Sequence, residues 1–168
     1  MKERKLFVWL WYALAVLLVL ADQVVKLWVR RAMALNTARP FIPHFIELYH
    51  TANTGGAFSV FNQFTWALTA ISAVLTVLLI LALWKGWFTS NHFSQLCVTL
   101  VLAGAAGNLI DRAAFGKVTD MFNYTFMKFG VFNVADICVV GGVMGYAAYT
   151  VFAQFKGDSH EADAECPQ

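Results

Sequence analysis

Residues 66–84 read WALTAISAVLTVLLILALW, a run without a charged side chain and with a tryptophan at each end. A bilayer core about 30 Å thick takes about twenty apolar residues of helix to cross. Indole rings favour the two interfaces, so the flanking tryptophans fit as well. The run predicts a membrane span. Working outward, residues 93–110 form another uncharged run, and residues 131–155 a further one broken only by Asp136. Upstream, Leu6 to Ala21 is uncharged, and the apolar pattern continues through Asp22 and Lys26 to Val29. Trp9, Trp11, Trp28 and Trp87 also fall near the ends of these runs. Four spans follow, over about 6–29, 66–84, 93–110 and 131–155.

Composition agrees. Of 168 residues, 60% are hydrophobic and 13% charged, against about 45–50% and about 25% in soluble domains. Such a chain is too apolar for disorder. Twelve basic residues against ten acidic leave a net charge of +2, so no basic field attracts nucleic acid. Cys97, Cys138 and Cys166 lie too far apart for a disulfide framework. The first two read as small packing residues and the third as a free thiol. The expectation is a single integral membrane domain over 1–168, an all-α protein with four transmembrane helices and no internal repeat.

Lys2, Arg4 and Lys5 before the first run also suit a secretory signal peptide. No small-x-small cleavage site follows, and the pattern runs past Asp22, so a retained helix is the reading. No cysteine near the end of that run marks the chain as a lipoprotein precursor itself. Residues 30–64 are too polar and too marked by Pro40 and Pro43 to span. Phe41-Ile42-Pro43 and Phe45-Ile46-Glu47-Leu48-Tyr49 alternate as strands do. A small sheet-like segment on the membrane surface is expected there. Residues 157–168 carry Asp158, Glu161, Asp163 and Glu165 and read as a solvated, disordered tail.

Helix parity then concentrates the polar residues. With four spans, the end of the first helix, segment 30–64, the end of the third helix and the start of the fourth share one side. Asp22, Lys26, Asn53, Asn108, Asp111, Arg112, Asp120, Asn133 and Asp136 all belong to those pieces. Orientation is not settled by charge: Lys2, Arg4, Lys5, Lys85 and Lys156 on the tail side face Arg30, Arg31, Arg39, Arg112, Lys117 and Lys128 on the other. The basic N-terminus alone favours cytoplasmic tails.

An ionisable group inside a span costs about 2.5–3.5 kcal/mol on insertion scales, so each one points to function or to a structural pair. Asp22 and Lys26 are four apart on one helix face, as a structural clamp or as a contact for a polar ligand or headgroup. Asn53-Thr54-Gly55-Gly56-Ala57-Phe58 reads as a tight turn, with the Asn53 amide able to hold a substrate backbone if it turns inward. Gly104, Gly107, Gly141 and Gly145 suit close helix packing. Asn108 and Arg112 share a face, and Arg112 could orient a carboxylate or bind a phosphate. Asp120 and Asp136 are the sharpest pair. Two carboxylates sharing a site do not both ionise, and such a pair can act as acid and base on water and a peptide bond. An ion or proton relay and a structural network stay open as alternatives. No histidine accompanies the acids to favour a metal, and no serine stands in a nucleophile-elbow context.

Five elements in register carry a resemblance: Asp22-Gln23-Val24-Val25-Lys26, Asn53-Thr54-Gly55-Gly56-Ala57-Phe58, Gly107-Asn108-Leu109-Ile110-Asp111-Arg112, Val118-Thr119-Asp120 and Phe132-Asn133-Val134-Ala135-Asp136. Together they resemble the lipoprotein signal peptidases, the bacterial signal peptidase II family. The resemblance implies an intramembrane aspartyl endopeptidase with Asp120 and Asp136 as catalytic residues. Asp22, Lys26, Asn53, Gly55, Asn108, Arg112 and Asn133 would be its substrate-binding positions. It also implies a diacylglyceryl-modified prolipoprotein substrate cut just before the lipidated cysteine, surrounding phospholipid, inhibition by globomycin, and no metal or other cofactor. Both termini would be cytoplasmic in the bacterial inner membrane, with the site near the periplasmic face and a small β-cradle after helix one. Gly56, Met121 and Ile137 depart from the family's usual Ala, aromatic and small hydroxyl residues. A small proton-coupled transporter and a non-catalytic lipid-binding protein are the competing classes. The transporter would be expected to show repeats or broken helices.

Overall fold

A computed structural model of the chain describes residues 2–54, 65–87 and 91–164, with side chains between positions 8 and 155 of those stretches. The order is α1 (Lys2–Ala32), β1 (Ala38–Ile42), β2 (Ile46–Asn53), α2 (Thr65–Lys85), α3 (His92–Phe115), β3 (Val118–Tyr124) and α4 (Val134–Ala164). Stretches of all four helices, Val8–Ala32, Thr65–Lys85, His92–Phe115 and Val134–Phe155, are long and apolar enough to cross a membrane.

Three boundaries differ from the sequence expectation for local reasons. Helix α3 runs past Ile110 to Phe115, because Gly116 with φ 68° supplies the left-handed residue that stops it, its N–H bonding back to the Arg112 carbonyl. Asp111 and Arg112 thus lie inside the helix. Helix α4 begins at Val134, later than 131, because Phe132 is held in a β-bridge with Phe122. At its far end α4 stays helical to Ala164, so residues 157–164 of the expected tail are helix, while residues 165–168, with Cys166, lie outside the described residues. Residues 158–164 hold no proline and include Glu161, Ala162 and Ala164. These are good helix formers that prolong a helix already nucleated upstream.

Helix α3 is the central element, packed against α1, α2 and α4. Its N-terminus is closed by a capping box between Asn91 and Ser94. Missing side chains let α4 come close: a Cβ on Gly104 would collide with the Ala135 carbonyl, and one on Gly142 with the Cys97 carbonyl. The packing glycines of α4 are therefore Gly142 and Gly145. Gly141, expected on that face, has nothing within 4 Å of its Cβ position. Cys97 and Cys138 are buried and free.

Contacts at one end of the bundle confirm the alternating helix directions. Trp9 meets Trp84 edge-on at 6.1 Å, Trp11 lies 6.3 Å from His92, and Phe93 lies 6.2 Å from Tyr149. The Tyr12 hydroxyl donates to the Ile80 carbonyl. The start of α1, the end of α2, the start of α3 and the end of α4 thus share that end.

An antiparallel sheet in the order β1-β2-β3 covers the opposite end. The first two strands overlap the alternating segments of the sequence, with Pro43 and Phe45 in the turn between them. The third has no counterpart in the sequence pattern, since Val118 to Tyr124 sits beside charged Lys117 and carries Asp120 in its middle. Val29 near the end of α1 and Met33 just beyond it pack with Leu48 and Met121 and pin the sheet to the bundle. Met121 is fully buried there, where the resemblance leads one to expect an aromatic. Bulges in β1 between Pro40 and Ile42, and in β2 between Leu48 and Thr51, bend the sheet.

Candidate active site

The strand places Asp120 first. Side chains alternate along β3, so Thr119 and Met121 turn toward the α1 side while Val118 and Asp120 line a cavity. Asn53 pairs with Val118 and Thr51 with Asp120, so Asn53 is a diagonal neighbour of Asp120 on the same face. The Asn53 amide accordingly donates to Asp120 Oδ2 at 2.9 Å.

A helix start places Asp136. Asn133 caps α4: its Oδ1 accepts from the Asp136 N–H at 3.0 Å, and Asp136 Oδ2 accepts from the Asn133 N–H at 3.1 Å. This reciprocal capping box fixes one oxygen of Asp136. The other, Oδ1, accepts from Asn108 Nδ2 at 2.8 Å.

Asn133 also joins the two acids. Its Nδ2 donates to Asp120 Oδ1 at 2.6 Å and to Asn108 Oδ1 at 3.1 Å. The chain arrives correctly because Phe122 and Phe132 exchange backbone hydrogen bonds of 2.8 and 3.0 Å, closing the loop between β3 and α4. Asp120 is almost wholly buried. Burial, followed by the charge of Asp136, pushes its carboxyl up to about 7, although hydrogen bonds from Asn53 and Asn133 and the Lys26 charge pull the other way. It is therefore poised to hold a proton near neutral pH, as one member of a shared carboxylate pair does.

Behind the pair lies a buried ionic cluster. Lys26, with no exposed surface, sits 2.8 Å from Asp22 Oδ2, 3.7 Å from Asp111 Oδ2 and 3.0 Å from Asn108 Oδ1. Asp22 Oδ1 accepts from the Ala135 N–H at 2.9 Å, an added cap for α4 supplied from α1. Gly107 leaves room for it, since a Cβ there would stand 2.7 Å from Asp22 Oδ2. Arg30 donates to Thr119 Oγ1 at 2.9 Å and pairs with Asp111 at 3.4 Å, while Asp111 Oδ2 accepts from the Thr119 N–H. Asp111 and Arg30 thus anchor the start of β3. Neither stands among the expected site residues. Asp111 is recognisable beforehand only as an acid at membrane depth, and Arg30 looks like an ordinary charge at a helix end.

The cavity measures about 770 Å³. Its polar wall carries Asn53, Asn108, Arg112, Asp120 and Asp136, and its apolar walls include Ile137, Val140 and Phe129. Arg112 Nη1 lies 3.4 Å from Ser72 Oγ, which holds the guanidinium beside the pair. Among the described residues no group of three His, Cys, Asp or Glu could hold a metal ion.

A hydrophobic-walled cleft with two acids cross-linked by asparagines suits general acid–base attack of water on an amide. The family model described as Signal peptidase (SPase) II, Peptidase_A8, matches residues 14–152. The chain belongs to the signal peptidase II family. It is thus an aspartic peptidase and a multi-pass bacterial membrane protein. A lipoprotein signal peptidase of Bartonella quintana (strain Toulouse) is 39% identical over 143 residues, covering 83% of this chain and 84% of that protein. One of Streptococcus agalactiae serotype Ia is 34% identical over 131 residues, covering 78% and 84%. A bacterial membrane enzyme solved by the in meso method at 2.3 Å resolution superposes with a TM-score of 0.78 at 28% identity, covering 89% of this chain and 90% of that one.

Within this family member, Asp120, Asp136, Asn53, Asn108 and Arg112 converge on the cavity, and Asn133 bridges the two acids. Asp22 and Lys26 do not line it; both are buried behind Asn108 and the start of α4. Gly55 and the rest of the glycine turn after Thr54, including Gly56, lie outside the described residues.

Proposed function

We propose that Asp120 and Asp136 are the catalytic pair with which this signal peptidase II removes signal peptides from prolipoproteins, cutting just before a cysteine that carries diacylglycerol. Removal of signal peptides from prolipoproteins is the activity of the family to which the chain belongs. The observation that carries the residue assignment is the hydrogen-bonded unit Asp120–Asn133–Asp136 facing the cavity.

Asp120 is the acid and Asp136 the base. The Asp120 carboxyl, raised to about 7, holds its proton below neutral pH and hydrogen-bonds the scissile carbonyl oxygen. Asp136 sits in the first turn of α4, where negative charge is favoured. Its carboxylate takes a proton from water as the water oxygen bonds to the carbonyl carbon. The carbonyl oxygen takes the Asp120 proton, giving a neutral gem-diol. As the C–N bond breaks, the proton held by Asp136 goes to the leaving nitrogen, while a diol hydroxyl returns its proton to Asp120. Asn53 and Arg112 position substrate backbone or headgroup at the cavity rim.

Lipid on the substrate fits the apolar wall. Ile137 and Val140 line the cavity and are also exposed on the bundle surface, so acyl chains can lie against α4 in the bilayer. Phospholipid and a globomycin-type cyclic peptide are expected to compete for the same space. Soluble peptides without lipid are expected to be poor substrates. In this reading the tails are cytoplasmic in the bacterial inner membrane and the dyad lies near the periplasmic face, in keeping with Lys2, Arg4 and Lys5 ahead of the first span.

The test is a gel-shift cleavage assay on a diacylglyceryl-modified prolipoprotein with wild type, Asp120→Asn and Asp136→Asn. Wild-type cleavage with both variants folded and inert supports the assignment. Normal cleavage by either variant removes that residue from the chemistry.

A further inference from the structure

The Lys26 side chain has no exposed surface, so no substrate reaches it without local opening. Its ammonium lies within hydrogen-bond distance of Asp22 Oδ2 and Asn108 Oδ1, with Asp111 Oδ2 a more distant charge partner at 3.7 Å. The contact with Asn108 has a directional consequence. An amide can present either its oxygen or its nitrogen, and an ammonium accepts nothing, so Lys26 compels the oxygen to face it. Nδ2 then faces the other way, onto Asp136 Oδ1 at 2.8 Å. With the amide reversed, Oδ1 would confront the carboxylate and Nδ2 would confront both the ammonium and Asn133 Nδ2, three repulsions in one turn.

We propose that Lys26 is a positioning residue for the peptidase reaction, its buried ammonium locking the Asn108 amide so that Nδ2 holds Asp136 in register with Asn133 and Asp120. This rests on the assignment of the dyad given above, and deepens it. It also explains why Asp22 stands where it does. Asp22 balances the ammonium with one oxygen and caps Ala135 with the other, so charge neutralisation and the start of α4 are joined in one carboxylate.

Charge is the part of this role that packing alone does not mimic. Asp120 is faced by Lys26 from α1, Arg112 from α3 and Asp136 from α4, with Asp22, Asp111 and Arg30 behind Lys26. The Lys26 charge works against protonation of Asp120. Removing it favours the protonated acid, which then keeps its proton to higher pH. The alkaline limb of the pH–rate profile, set by loss of the Asp120 proton, therefore moves to higher pH in Lys26→Met.

The experiment measures kcat, KM and melting temperature for the full-length enzyme in detergent or lipid across a pH series, with a diacylglyceryl-modified prolipoprotein. Variants are Lys26→Met, the charge-balanced Asp22→Asn/Lys26→Met, Asn108→Ala and Asn108→Ala/Lys26→Met. In the balanced variant, the amide that replaces the Asp22 carboxylate keeps an oxygen for the Ala135 N–H. The expected result is a fall in kcat of about tenfold to hundredfold at unchanged KM in both Lys26 variants that keep Asn108. The alkaline limb moves up in Lys26→Met, the balanced variant melts close to wild type, and Lys26→Met has no further effect on kcat in the Asn108→Ala background. Wild-type kcat in the balanced variant overturns the proposal, as does an independent, multiplicative loss on top of Asn108→Ala. A balanced variant that melts far below wild type assigns Lys26 to folding and overturns it equally. Failure of the dyad itself is read separately, from cleavage by Asp120→Asn or Asp136→Asn.

Discussion

Asp120 shows how a residue type legible in sequence acquires its chemistry only from its surroundings. Its carboxyl rises from 3.8 to about 7, so the folded state holds the proton more tightly than the unfolded chain does. Well below pH 3.8 both states are protonated and burial of this group carries no electrostatic cost. As pH climbs toward 7 the unfolded chain ionises first, and the contribution of Asp120 to folding becomes increasingly unfavourable. Asp120→Asn is therefore expected to gain melting temperature relative to wild type over that window, with no gain below it, as a thermal melt at several pH values would read. In the reaction the sign is the same: an acid that loses its proton near pH 7 predicts a kcat falling above neutrality in the wild type, measured by lipoprotein cleavage against pH. The asparagines are legible as polar residues at membrane depth, but their partners are not. Asn133 bonds to both acids only because β3 and the start of α4 are brought side by side. Asp22 and Lys26 are legible as an i, i+4 pair, and the structure shows that pair at 2.8 Å. Their burial away from the cavity is not, since spacing on one helix says nothing about what covers it.

Among the elements, the helices are legible because nothing but a long apolar run satisfies its own backbone in lipid. Strand β3 is not, because Val118-Thr119-Asp120-Met121 is too short and too mixed to stand out, and its stability comes from pairing with β2 and from Arg30 and Asp111. Asn133 three residues before Asp136 has the spacing of a helix start, although the apolar run by itself places the span from 131. The glycines of α3 and α4 divide sharply. Gly104→Ala forces α3 against the Ala135 carbonyl, immediately before Asp136, and is expected to destabilise by about 1–3 kcal/mol and to lower cleavage. Gly141→Ala meets nothing within 4 Å and is expected to melt with wild type. Paired melts and cleavage rates check both; equal behaviour of the two variants would remove the close α3–α4 approach as the cause. One glycine-bearing face is indistinguishable from the next until the partner helix is placed.

For the whole molecule, helix parity predicts that both termini lie on one side of the membrane and the sheet and dyad on the other. Cytoplasm-only fluorescent fusions at either end should light up, while a cysteine introduced at exposed Phe126 should react with a membrane-impermeant thiol reagent added from the periplasm. Reaction only after the inner membrane is opened would reverse the proposed orientation. The number of spans, the side on which the polar residues gather, the two acids and the family resemblance all follow from the chain read alone, because hydrophobic length and residue order are properties of the chain. Which polar groups touch is a matter of packing. Hydrogen bonds of 2.6–3.1 Å between α1, α3, β3 and α4 depend on helix rotation and strand register, and neither is written in any single segment. The same dependence separates Asn53 and Arg112, which line the cavity, from Asp22 and Lys26, which stand behind it. It also gives Asp111 a place in the architecture, because only packing brings its carboxylate to the Thr119 N–H.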